Sequence, residues 1–312
     1  MTKIDRPAWL ERLDALAGEA ESHGLTRLAE IVRGLALHIR APLLETFANR
    51  AEALIATPEV DPLEPLVRAM IRGGELRLWT GNFSFTDVRS LCTIVDEILL
   101  RQEYWFRSES DAPTVIDAGA NTGLATYYVK RTCKAGRVIC LEPDPDNFAL
   151  LEANIAASNF EDVELHRAAL STQDGEALFQ GRPDAPLAGS LAPRAPTGDE
   201  VAVPVKTLRL AAFLDQPVGL LKLDIEGAEA DVLEDCADHL DQVENVFVEV
   251  HPVPGEAPSL LARVLAVLEG AGFSVHVARS PWSERAHRVR PLTHAARTYS
   301  LSVFATRLPP AG

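Results

Sequence analysis

Residues 114–124 read Thr-Val-Ile-Asp-Ala-Gly-Ala-Asn-Thr-Gly-Leu. The run begins apolar and β-branched at Val115 and Ile116, then turns through Asp117, Gly119, Asn121 and Gly123 into a helical pattern. A buried strand that enters a tight turn of small residues and then a helix is how a Rossmann-like domain opens a nucleotide site. Glycine lets backbone approach a ligand because no Cβ intervenes. The first helical turn adds unpaired N–H groups.

Outward from this stretch, apolar runs and amphipathic segments alternate. They predict strands at 114–118, 137–141, 163–169, 219–223, 246–250, 273–278 and 298–306, with helices from Gly123 to Cys133 and over 145–157 and 257–269. Another helix is expected to follow Asp224-Ile-Glu-Gly-Ala-Glu229 as far as Leu240. This order argues for an α/β domain, a parallel sheet covered by helices on both faces. Extra short strands are expected at 175–179 and 201–205, separated by a Pro- and Gly-rich run over 181–200.

The first 60 residues have a different character. Leu10, Leu13 and Leu16, then Leu28, Ile31, Val32, Leu35 and Ile39, recur at helical spacing, and a third helix is expected over 43–55. Pro58-Glu-Val-Asp-Pro-Leu-Glu-Pro marks a boundary. The expected division is a helical arm or bundle over 1–60 and a main domain over 61–312, with its core at 112–306. The arm carries no residues of catalytic type and is expected to pack on the main domain or to form a homodimer. A lid over the active site is the sharper alternative. A helix is also expected from Asp87 to Phe106, ending in the aromatic triplet Tyr104-Trp105-Phe106, read as a core anchor.

Composition narrows the function classes. Of 312 residues, 45 are Asp or Glu and 30 Lys or Arg, a formal charge of −15, which disfavours a nucleic-acid partner. The four cysteines (Cys92, Cys133, Cys140, Cys236) form no C-x-x-C pair and are expected to be reduced core residues. No 18-residue apolar run and no leader pattern is visible, so no membrane association and a cytoplasmic location are expected.

Three carboxylates close predicted strands: Asp117, Glu142 and Asp224. Ligands of open α/β sheets bind beyond the carboxyl ends of the strands. Glu142 lies 25 residues after Asp117, where an acid can accept from both hydroxyls of a ribose. The alternative is an acid at the start of the next helix, where Asp144 and Pro145 resemble an N-cap and first-turn pair. The 119–123 loop lacks a full G-x-G-x-x-G, so a nicotinamide dehydrogenase fits less well. Asp-x-Gly-x-Asn-x-Gly is better suited to a ligand with an amine-bearing or cationic end, and S-adenosylmethionine has an amino group, a sulfonium and a ribose.

Four segments together are specific. Val115-Ile-Asp-Ala-Gly-Ala-Asn-Thr-Gly123, Leu141-Glu-Pro-Asp144, Leu221-Lys-Leu-Asp-Ile-Glu-Gly-Ala-Glu229 and Val248-Glu-Val-His251 resemble, in order and spacing, the FkbM family of S-adenosylmethionine-dependent methyltransferases. The resemblance spans about residues 100–278. It implies a Rossmann-like class I methyltransferase fold, with a mostly parallel seven-stranded sheet, and O-methylation of a natural product or sugar. It also implies that Asp117, Gly119, Asn121 and Gly123 line the methionine end of the cofactor. Glu142 would hold the ribose, Ala169 would lie near the adenine, and Ser190 matches a small polar position.

The reacting centre is then expected beside the sulfonium, among Asp224, Glu226, Glu249 and His251. His251 suits a general base. Asp224 and Glu226 suit holding the acceptor, acting as base, or binding a divalent cation such as magnesium. Plainer roles stay open: a backbone-bonded His251, macrodipole-favoured Glu226 and Glu229, and a buried ion pair for Lys222, possible partner of Glu249. The basic 279–297 segment, with Arg279, Arg285, Arg288, Arg290, Arg297, His287 and His294, is read as a solvated loop or as a lid for an anionic acceptor. Methyl transfer to nitrogen or carbon, and a non-catalytic nucleoside-binding or interaction protein, remain alternatives.

Overall fold

The computed structural model describes residues 8–39, 43–59, 61–78, 81–181, 189, 191, 201–251, 259–279 and 300–307. The residues expected to form the 181–200 and 279–297 loops, Ser190 included, thus lie almost wholly outside the described set. The chain divides into two compact units, Met1–Glu103 with Ala156–Asn159, and Tyr104–Ile155 with Phe160–Gly312. Segment 61–103 thus packs in the same unit as the preceding helices.

In the first unit, α1 (Ala8–Ser22), α2 (Thr26–Ala36), α3 (Leu44–Ala56) and α4 (Leu63–Ala69) precede a small antiparallel sheet of β1 (Ile71–Arg72), β2 (Glu75–Leu78) and β3 (Gly81–Phe83). Their apolar faces turn inward: Leu13, Leu16, Leu28, Ile31, Leu35 and Leu54 are buried. Helix α5 (Val88–Val95) starts where the Asp87 carboxylate accepts from the N–H groups of Arg89 and Ser90, at 2.8 and 3.0 Å. It continues as one π turn over Asp96–Leu100 and stops there, short of the expected Phe106. Buried Asp96 is paired with Arg27 and with Arg101.

The second unit carries the long sheet. Its elements are β4 (Thr114–Ala118), α6 (Leu124–Thr132), β5 (Arg137–Leu141), α7 (Pro145–Ser158), β6 (Val163–His166), β7 (Ala168–Leu170), β8 (Gly175–Gly181), β9 (Val201–Leu208), β10 (Leu220–Leu223), α8 (Glu229–Asp235), β11 (Asn245–Val250), α9 (Leu260–Gly270), β12 (Ser274–Arg279) and β13 (Leu301–Thr306). Seven strands form one sheet in the order β12-β13-β11-β10-β4-β5-β6. The neighbours from β11 to β6 are parallel, and β13 is antiparallel to both β11 and β12. The Rossmann-like, mostly parallel arrangement anticipated from the sequence is thus the observed one.

Consecutive residues of β10 and nearly all of β4 and β5 are buried, so both faces of the sheet centre are covered. The main core joins Ile116, Ile139, Leu221, Val246 and Val248 from the strands with Leu233, Val264 and Leu268 from the helices. Successive strands run outward from β4 through β5 to β6, and then from β10 to β11 on its other side. The strand order therefore reverses between β4 and β10, where open α/β sheets place their ligand crevice.

Two expectations need correction. The predicted strand 163–169 is two strands, broken at Arg167: β6 stays in the main sheet, while β7 joins β9 and β8 in a separate three-stranded sheet. The aromatic triplet does not end a helix. Tyr104 and Phe106 are buried, but Trp105 is 54% exposed. All four cysteines are free thiols.

Candidate active site

The turn after β4 is built by close backbone packing. Gly119 has φ +79°, and a Cβ there would lie 1.8 Å from the carbonyl oxygen of Asp224. Its N–H donates to the Leu141 carbonyl at 2.9 Å. Gly119 thus wedges between the ends of β10 and β5, a position open only to a residue without a side chain. Asn121 is also left-handed (φ 49°), and Gly123 (φ +92°) caps α6 against Leu151.

Glu142, at the end of β5, is buried. One carboxylate oxygen accepts from the Asn121 N–H at 2.8 Å, the other from the Asp144 N–H at 2.9 Å. It therefore pins the β4 turn to the β5 turn. Burial pushes its pKa up to about 7 against the pull of those two backbone donors. Asp144, not Glu142, caps α7, accepting from Asp146 and Asn147 N–H at 2.9 and 3.0 Å.

Asp117 and Lys222 are cross-strand neighbours in the β4–β10 register. The Lys222 ammonium is buried. It donates to the Gly119 carbonyl at 2.5 Å, lies 3.4 Å from carboxylate oxygens of both Asp117 and Asp224, and sits 5.6 Å from the centre of the Tyr104 ring. Burial works against its charge, but Asp224 and Asp117 outweigh it and raise its pKa. The other Asp117 oxygen accepts from the Thr126 hydroxyl at 2.7 Å. The buried ion pair considered for Lys222 is present, and its acids are Asp117 and Asp224.

Beyond β10 the chain turns through Glu226 (φ 58°) and Gly227 (φ 108°) into α8. His251, just past β11, meets this turn. Its Nε2 lies 3.7 Å from Glu226, 3.8 Å from Glu249 and 4.0 Å from Asp224, while Nδ1 is 3.2 Å from Glu229. Burial alone would lower the imidazole pKa. Glu226, Glu229 and Glu249 instead raise it well above the ordinary histidine range. Burial, opposed by His251 and reinforced by the neighbouring acids, pushes Glu226 up to about 8. Glu249 is likewise shifted up by burial and by Asp224.

The sequence thus named Asp224, Glu226 and His251, and the structure brings them together. Glu249 turns to the same cluster. Fully buried Glu229 belongs to it as well, although its position at the start of a helix suggested only a macrodipole role. Ala169 follows just past the end of β6, whose His166 carbonyl accepts from the Glu142 N–H. It lies in the small β7-β9-β8 sheet, buried with Phe179 and Val205. Among the described residues, the group with mutual spacing for a metal ion is Asp224, Glu249 and His251, with ligand atoms within 4.8 Å of one another. Glu226 is not part of it.

The profile of the Methyltransferase FkbM domain matches residues 117–275, which contain every residue of this cluster. The chain belongs to the FkbM methyltransferase family. It is 31% identical over 211 residues to Methyltransferase 1 of Beauveria bassiana, covering 60% of this chain and 82% of that protein. It is 28% identical over 201 residues to the 31-O-demethyl-FK506 methyltransferase FkbM of Streptomyces tacrolimicus, covering 54% and 75%. A solved FkbM methyltransferase from Methylobacillus flagellatus aligns with 92% of this chain at 12% identity and TM-score 0.44, and the chain spans 60% of its length.

This FkbM methyltransferase uses S-adenosylmethionine, and the donor chemistry at the strand ends fits that cofactor. Each oxygen of Glu142 keeps accepting capacity beyond its one backbone bond, enough for two ribose hydroxyls. The acids Asp117, Asp224, Glu226, Glu229 and Glu249 surround Lys222 and His251. No helix among the described residues is long and apolar enough to cross a membrane.

Proposed function

We propose that this FkbM methyltransferase methylates a hydroxyl oxygen of a small molecule such as a natural product or sugar. The observation that carries this reading is the placement of His251 Nε2 among Asp224, Glu226 and Glu249, next to the β4–β10 switch point. When bound, S-adenosylmethionine supplies a methyl group activated by its sulfonium. In this reading the Gly119–Gly123 turn and Glu142 bind the cofactor. Asp224 and Glu226 accept hydrogen bonds from the acceptor and fix its approach. His251 Nε2 takes the hydroxyl proton as the new carbon–oxygen bond forms. The neighbouring carboxylates stabilise the imidazolium that results. The Streptomyces tacrolimicus relative is named for a 31-O-demethyl acceptor, which supports an oxygen nucleophile.

The test is incubation with S-adenosylmethionine and a panel of hydroxylated, aminated and unsubstituted small molecules, followed by mass and fragment analysis of the products. A single methyl gain located on oxygen is expected. Label found only on nitrogen or carbon would overturn the oxygen assignment. Repeating the assay after chelation tests the cation set Asp224, Glu249 and His251, because the proton transfer to His251 requires no metal.

A further inference from the structure

The proposed role of His251 leaves open what chooses the ring nitrogen that carries its proton. Glu229 is the most deeply buried of the acids around it. The Glu229 side chain is fully shielded from solvent. One oxygen accepts from the N–H groups of Ile225 and Gly227 at 3.3 and 3.0 Å, and the other also accepts from Gly227 at 3.0 Å. The first of these oxygens lies 3.2 Å from His251 Nδ1. One carboxylate therefore folds the 224–228 turn and grips the back of the imidazole.

We propose that Glu229 is the positioning residue for His251, holding the proton on Nδ1 so that Nε2 faces Asp224, Glu226 and Glu249 as the proton-accepting atom. This rests on the reading of His251 as base. The two ends of the ring see different surroundings. Nδ1 has one close carboxylate at hydrogen-bond distance, and an ionised carboxylate only accepts, so Nδ1 donates. Nε2 has three carboxylates at 3.7 to 4.0 Å, too distant for short hydrogen bonds. Those three add negative potential without fixing a tautomer. They are also the titratable groups that face the ring from the 224–226 turn and from β11. The arrangement explains why the acid stands at the first residue of α8: from there it reaches the turn amides and the strand-end histidine together.

The proposal is tested by ¹⁵N NMR of the imidazole side chains of the full chain, with His251→Asn identifying the His251 signals. In the wild type the neutral ring above its pKa should carry its proton on Nδ1. A neutral ring protonated on Nε2 overturns the proposal without any Glu229 variant. In Glu229→Gln the carbonyl can still accept from Gly227, while the amide can donate to Nδ1. The proton should then move to Nε2 and the pKa should fall. Turnover of an accepted hydroxyl substrate should drop about 100-fold or more, with S-adenosylmethionine affinity unchanged. In a His251→Asn background, Glu229→Gln should have little further effect. An equal loss in both backgrounds would show a purely structural role for Glu229. If His251→Asn methylates like the wild type while the NMR result holds, the positioning stands and the base assignment falls.

Discussion

At the scale of single residues, Gly119 and Glu142 make opposite demands. Gly119→Ala would place a methyl group where the Asp224 carbonyl now sits and hold an L-residue at φ +79°. The left-handed backbone alone costs about 1–2 kcal/mol, and the clash adds displacement of the β10 end. Calorimetry should show a lower melting temperature and weaker S-adenosylmethionine binding together. Glu142 binds its proton more tightly folded than unfolded, its pKa moving from 4.5 to about 7. The stability tied to that proton is fully present below pH 4.5 and is lost as pH rises through 7. The shift corresponds to about 3 kcal/mol. Glu142→Gln should therefore flatten the fall in unfolding free energy between pH 4.5 and 7 in denaturant titrations. An unchanged slope would show that other groups dominate.

Among the elements, β10 concentrates the electrostatics. Lys222→Met keeps the side-chain volume but strands Asp117 and Asp224 beside each other without their cation. Breaking a buried pair in this way costs about 3–5 kcal/mol, and thermal unfolding of the variant measures it. Combining it with Asp117→Asn should recover part of the loss. The elements themselves differed in legibility. β4 and β5 were readable to the residue, because near-continuous apolar runs ended by a carboxylate and a turn admit one interpretation. The β6–β7 break was not readable, since Val163 to Leu170 keeps a strand-like composition while its backbone leaves one sheet for another. Asp224, Glu226 and His251 could be found from motif spacing. The depth of Glu229 could not, because an acid opening a helix is ordinary until the fold places a histidine against it. Lys222 showed the same limit: alternation predicts a buried charge, while its partner Asp117 comes from a strand more than a hundred residues away.

For the molecule as a whole, the acid-rich strand ends set a pH dependence. As the proposed base His251 would act only when deprotonated, and its neighbours hold its pKa well above the ordinary range. Steady-state rates should therefore fall as pH drops below that raised value. The acidic limb of kcat/KM is expected on the alkaline side of the usual histidine position near 6.5. Glu249→Gln should move this limb toward lower pH, because it removes one of the charges that favour the imidazolium. A limb that stays in place would assign it to another group.

Asp224 divides its carboxylate between two duties. One oxygen faces Lys222, which holds the Gly119 turn, and the other faces His251. In the proposed arrangement such a shared group would couple the cofactor turn to the acceptor site, and by linkage whatever occupancy at the turn does to the acceptor's affinity, the acceptor does equally in return. A thermodynamic box of titrations, each ligand alone and each in the presence of the other, should close on a common coupling of about 1 kcal/mol. In Asp224→Asn that coupling should vanish even if both ligands still bind. On that account Asp224 acts as a hinge of communication, and the order in which the two ligands arrive would matter for rate but leave the final affinity unchanged.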